Sequence, residues 1–144
     1  MSTLWVVVAG ASEAKVYAAT GAEKQLKEVT HFEHAESRKH ARDITADLPG
    51  RTVGSDGSHH AMEAETDIKK ALAAEFARQI DHYLRTGLNT QQFGKLVLVA
   101  APAFLGQLRE NMDAQVAKSV VYELGKNLVH CDAAEIAAHL PKHL

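Results

Sequence analysis

The sequence predicts one α/β domain over residues 1–144, built on a single mixed β-sheet of about five strands with helices packed on its faces. Three observations predict it. Two unbroken apolar runs, Leu4–Ala9 and Leu96–Ala100, have the composition of strands buried on both faces. Between them Ile68, Leu72, Phe76, Ile80 and Leu84 recur every four residues and mark one face of a long helix. The short strand patterns ahead of that helix have no helical period between them. The chain therefore opens as a β-meander and continues in βαβ alternation.

The elements follow in order. After Leu4–Ala9, the stretch Gly10-Ala11-Ser12-Glu13 reads as a turn. Lys15–Ala19 is a second strand, antiparallel to the first, and Thr20-Gly21 ends it. Leu26–Glu33 is a third, with Leu26, Val29 and Phe32 as its apolar candidates. From Ala35 to Ala61 the periodicity stops, and a loop of this length inside a compact domain is usually functional or disordered. Met62–Thr86 is the long helix. Glu63, Glu65 and Asp67 suit its first turns, Arg85 its last, and Gly87 a C′ stop. Leu96–Ala100 is the next strand, and Pro102 opens a short helix marked by Phe104, Leu105, Leu108 and Met112. Val120–Leu124 is the last strand. Asp132 with Glu135 forms a capping box for a final helix carrying Ile136 and Leu140. No internal repeat or inter-domain linker is visible.

Composition narrows the function classes. Of 144 residues, 46% are apolar and 24% charged, which suits a globular domain with a core of its own. Aromatics are 6%, so stacking platforms for bases are scarce. A net charge of −2 argues against a surface that is basic throughout, as a general nucleic-acid or membrane binder would have. Neither a membrane nor a DNA partner is predicted. Cys131 is the one cysteine, so no intrachain disulfide forms. Its apolar neighbourhood suits a small core residue. The first residues lack the layout of a signal peptide, and the expected localisation is cytoplasmic.

The candidate binding residues lie in the loop Ala35–Ala61. Arg38, Lys39, His40 and Arg42 form a basic cluster, and Arg51 follows in Pro49-Gly50-Arg51. Glycine and proline expose backbone there, and arginine offers a planar donor fork to phosphate or carboxylate. Glu36, Asp43, Asp47 and Asp56 interleave, so a merely solvated loop is the alternative. His59 and His60 precede the long helix and could help hold an anion at its N-terminus. A metal site would need His40, His82 or Asp56 as partners at fixed geometry, and neither metal nor cofactor is predicted. Ser12, Asp81 and His82 make a triad only on paper, since no G-x-S-x-G elbow is present. No Walker or G-x-G-x-x-G signature occurs.

Several segments together carry a resemblance. Glu36-Ser37-Arg38, Asp43, Asp47-Leu48-Pro49-Gly50-Arg51 and His60-Ala61-Met62-Glu63 resemble the loop pattern of the bacterial host attachment protein family. Leu96–Pro102 with Phe104-Leu105-Gly106, and Val121–Leu124 with Lys126-Asn127-Leu128 and His130, are similar to its later segments. The name implies a role in attachment of a bacterium to host cells. The family is in turn distantly similar to the central domain of archaeal and eukaryotic class-one peptide release factors, where a Gly-Gly-Gln loop precedes a long helix. The nearest match here, Gly57-Ser58-His59, lacks the second glycine and the glutamine. The resemblance therefore implies contact with RNA or the ribosome without peptidyl-tRNA hydrolysis. The expected function is a non-enzymatic binding protein working through Arg38, Lys39, Arg42, Arg51, His59 and His60. The alternatives are a protein-interaction or self-association module whose loop orders on a partner or second copy, and a small hydrolase or anion sensor using loop Arg and His.

Overall fold

A computed structural model describes residues 3–20, 25–40, 57–141 and 144, with only the backbone described at 20 and 57–65. The strands are β1 (Leu4–Ala9), β2 (Glu13–Thr20), β3 (Gln25–Glu33), β4 (Lys95–Ala100) and β5 (Val120–Leu124). The helices are α1 (35–40), α2 (Gly57–Asn89), α3 (Pro102–Glu110), α4 (Ala114–Ser119) and α5 (Ala133–Ala138). The five strands form one sheet in the order β3-β2-β1-β4-β5. The β1–β2 and β2–β3 pairs are antiparallel, and β1–β4 and β4–β5 are parallel. The predicted mixed α/β sheet, meander first, is the observed one.

The central strands β1 and β4 are buried along nearly their whole length because both faces of the sheet are covered. On one face Trp5, Val7, Leu96 and Leu98 pack against Phe76, Ile80 and Leu84 of α2, together with Phe104 and Leu108 of α3 and Val116 of α4. On the other, Val6, Val8, Val97 and Val99 pack against Leu128, Val129 and Ile136, the last from α5. Alternation along each strand thus feeds two separate cores.

Strand β3 shows how a break in alternation is used. Val16 pairs with Thr30 and Tyr17 with Glu28, so Val29 is an extra residue, a β-bulge. Val29 points away from both cores and is 41% exposed, contrary to the expectation of a core residue. The bulge also flips the strand's parity. Leu26 joins the core on the α5 side and Phe32 the core on the α2 side, although both positions are even.

Gly87 does not stop the long helix. The helix runs on to Asn89, and Gln91 takes the left-handed conformation with φ 61°. The N–H of Gln92 donates to the Gly87 carbonyl at 2.8 Å and that of Gln91 to Leu88 at 3.1 Å, which is a Schellman closure without glycine. Gly87 is needed for packing instead. A Cβ there would lie 2.9 Å from Trp5 Cη2 and Cζ3 and 3.2 Å from Phe93 Cε1. Gly87→Ala gains up to about 1 kcal/mol of helix propensity but overpacks this contact at a cost of about 1–3 kcal/mol. A net loss of about 1 kcal/mol is expected in urea denaturation.

The predicted loop Ala35–Ala61 is partly helical. Residues 35–40 form α1, and α2 starts at Gly57 rather than Met62. The acidic residues Glu63, Glu65 and Asp67 consequently sit beyond the first turn. Helix α1 is too polar to show an apolar period, and Gly-Ser-His-His are weak helix formers. Residues 41–56 lie outside the described residues. Helix α4, also not anticipated, spans six residues and buries only Val116 and Ser119.

Candidate functional site at the carboxyl ends of the parallel strands

Strands β1, β3, β4 and β5 run in one direction and end together, beside the start of the antiparallel β2. In open α/β sheets this is the end at which ligands bind. Helix α2 returns the chain to the start of β4, so its N-terminal part lies toward the same end. It has 33 residues, about 50 Å at roughly 1.5 Å per residue, against about 20 Å for a six-residue strand. Residues 66–71 are all exposed, whereas Phe76 onward supplies the core. Ile68, expected in the apolar stripe, is 45% exposed because the helix outruns the sheet there.

His34 fastens this end together. It is buried, and its N–H donates to the Ser12 carbonyl at 2.8 Å. Its ring stacks on Phe76 with centroids 5.2 Å apart and planes at 18°. Nδ1 and Ser37 Oγ share a hydrogen bond of 2.6 Å, and Nε2 lies 3.8 Å from a Glu75 carboxylate oxygen. Its carbonyl accepts the Arg38 N–H at 3.1 Å, the first helical bond of α1. One residue thus ties α1 to α2 and to the β1–β2 turn.

Of the predicted binding residues, Arg38 and Lys39 are exposed on α1. Arg38 lies 3.5 Å from a Glu33 oxygen. His40 is half-buried, and its Nε2 has no hydrogen-bond partner among the described residues. His59 and His60 fall in the first turn of α2, where only the backbone is described, and Arg42 and Arg51 lie outside the described residues. The structure adds Lys69 and Lys70, both exposed on the overhanging part of α2, with Asp67 beside them. Sequence reading passed over them because they sit on a regular helix. The available signal was a Lys-Lys pair next to the first residue of the apolar stripe.

The remaining candidates have structural work. Asp81 is buried. Its Oδ1 accepts the Asp113 N–H at 2.9 Å and its Oδ2 lies 3.3 Å from Arg85 Nε. Asp113 in turn caps α4, accepting from the Gln115 N–H at 3.0 Å. Asp81 thus spends both oxygens holding α2 to the α3–α4 corner, and His82 is exposed with no part in a triad. Cys131 packs at the edge of the α5-side core, where burial and then the neighbouring Glu135 carboxylate push its thiol pKa up. That is the opposite of a reactive thiolate. The predicted helix cap is present: Asp132 Oδ1 accepts the Glu135 N–H at 2.8 Å.

Two further features stand apart. A cleft of about 550 Å³ beside β5 is lined by Arg109, Met112, Val121, Tyr122 and Glu123. Arg109 Nε donates to both Glu123 oxygens at 3.0 and 3.1 Å, so these two charges satisfy each other. Elsewhere, Glu13, His31 and Glu33 bring their donor atoms within 4.8 Å of one another.

The sheet, its two helical layers and the overhanging helix define an α/β/α scaffold with a polar end. The family described as "Protein required for attachment to host cells" matches residues 5–140, and the chain belongs to it. No curated protein matches. Among solved structures the chain is similar to one titled "Archaeal protein", with TM-score 0.51 and 9% identity over 97% of this chain. That likeness concerns the fold, and this chain spans 35% of the archaeal chain. Among the described residues no helix is long and apolar enough to cross a membrane.

Proposed function

We propose that the protein is a non-enzymatic cytoplasmic member of the host attachment family that contacts RNA, on the ribosome or as free transfer RNA, through the end formed by α1 and the overhanging part of α2. One observation carries this reading: Arg38 and Lys39 on α1 and Lys69 and Lys70 on α2 are exposed on two elements that His34 fastens to each other. Arg42, Arg51, His59 and His60 lie in the sequence between Lys39 and Lys69. Phosphate contacts dominate in such an interface, because few aromatic rings are available for stacking.

The test is RNA binding across a salt series. Affinity should fall steeply from about 50 to 200 mM salt, and K39A/K69A/K70A should flatten the slope by about 2–3 in log–log terms. Salt-insensitive binding, or an unchanged slope in the triple variant, counts against it. The exposed Ile68 beside these lysines favours a second reading, self-association through α2. Light scattering on wild type and Ile68→Ser separates the two, since a monomer in both cases excludes it.

A further inference from the structure

Four side chains from three separated places meet on the face of the β2–β3 hairpin that α5 covers. Glu13 and Glu33 are direct cross-strand partners, and His31, two residues before Glu33, projects on the same face. His130 arrives from the turn ahead of α5. His31 Nε2 is 3.3 Å from Glu13 Oε2, and His130 Nδ1 is 3.7 Å from Glu13 Oε1. The donor atoms of Glu13, His31 and Glu33 all lie within 4.8 Å of one another.

Two carboxylates directly opposite each other on neighbouring strands repel. Arg38, 3.5 Å away, balances Glu33. Glu13 faces two imidazoles, whose ring nitrogens can serve as metal ligands. We propose that Glu13, His31, Glu33 and His130 form a binding site for a divalent transition-metal ion, with zinc as the best match. Tetrahedral zinc with bonds of about 2.0–2.2 Å to nitrogen and oxygen places its ligands about 3.3–3.6 Å apart. The 3.3 Å between His31 Nε2 and Glu13 Oε2 matches that edge length, and His130 Nδ1 stands 3.7 Å from the other Glu13 oxygen. Two nitrogens and two carboxylates suit zinc, whereas magnesium and calcium demand six or more oxygens. Glu13 is the most sheltered of the four, and His130 is 85% exposed. The hairpin therefore supplies the seat, and His130 closes it, tying the start of α5 to the sheet. Three of the four residues are on the sheet and the fourth is in the turn ahead of α5, and none is a lysine of α1 or α2, so the zinc step is read separately from RNA binding even though Glu33 pairs with Arg38.

The test is calorimetric titration of the chelator-treated full chain with zinc chloride, with magnesium chloride as the hard-ion control. Wild type should show a saturable zinc step and none with magnesium. His31→Ala and Glu13→Gln should each weaken that step by about tenfold or more. His130→Ala alters a side chain too exposed to matter for folding, so its weakening reads the site directly even if the hairpin variants fail to fold. His59→Ala/His60→Ala should leave the step in place. Absence of a zinc step in wild type, or its survival in both His31→Ala and His130→Ala, overturns the proposal.

Discussion

Replacing Trp5 with alanine is expected to destabilise the fold by about 3–5 kcal/mol, the largest effect of any single change considered. Trp5 is 3% exposed on the central strand β1. Its ring stacks on Phe93 with centroids 4.7 Å apart and on Tyr83 at 5.7 Å. Tyr83 meets Phe32 edge-on at 5.1 Å, so the indole links α2, the turn before β4 and the far strand β3. Truncation leaves a cavity with Gly87 as part of its wall, and a glycine has no side chain to swing into it. The neighbours are rigid rings on regular elements, so collapse is poor and the cost lies high in the usual range. Urea denaturation followed by circular dichroism measures it. A loss below about 1 kcal/mol would mean that the aromatic cluster is not packed as described.

Asp81→Ala is the second, with an expected loss of about 1–3 kcal/mol. The change strands the Asp113 N–H, which donates to Asp81 Oδ1 at 2.9 Å. It also frees Arg85, but Arg85 is about half exposed, and such surface pairs contribute roughly 0–1 kcal/mol. A double-mutant cycle with Arg85→Ala separates the two contributions. Arg85→Ala alone should cost little, and most of the loss should persist when both are changed. The effect also reaches α4, because Asp113 is its cap residue. If Arg85→Ala matches Asp81→Ala, the ion pair rather than the buried hydrogen bond fastens the corner.

The strands β1 and β4 were legible because burial on both faces demands continuous apolar side chains. Most of α2 was legible because Phe76, Ile80 and Leu84 keep one face to the core. Ile68 misled because periodicity continues after the sheet has ended. Val29 misled because a bulge changes parity without changing composition. Gly87 looked like a helix stop, but its smallness answers to Trp5, a residue 82 positions earlier that local reasoning does not reach. Helix α1 was hidden because it is held by His34, not by an apolar stripe. The candidate site divides in the same way. Arg38 and Lys39 were readable as a local basic cluster. That Lys69 and Lys70 lie toward the same end of the sheet, and that Glu13, His31 and Glu33 meet, depends on strand pairing and chain return.

Whether the α1–α2 end contacts RNA is tested most directly by co-sedimentation with ribosomes. Wild type and the charge-reversed variant K39E/K69E/K70E, both monitored for folding by circular dichroism, would be pelleted with ribosomes at low and at physiological salt. Wild type is expected to co-sediment at low salt and to be released as salt rises, and the variant to stay in the supernatant at both. Folded wild type that fails to pellet at low salt, or a variant that pellets as wild type does, would contradict it.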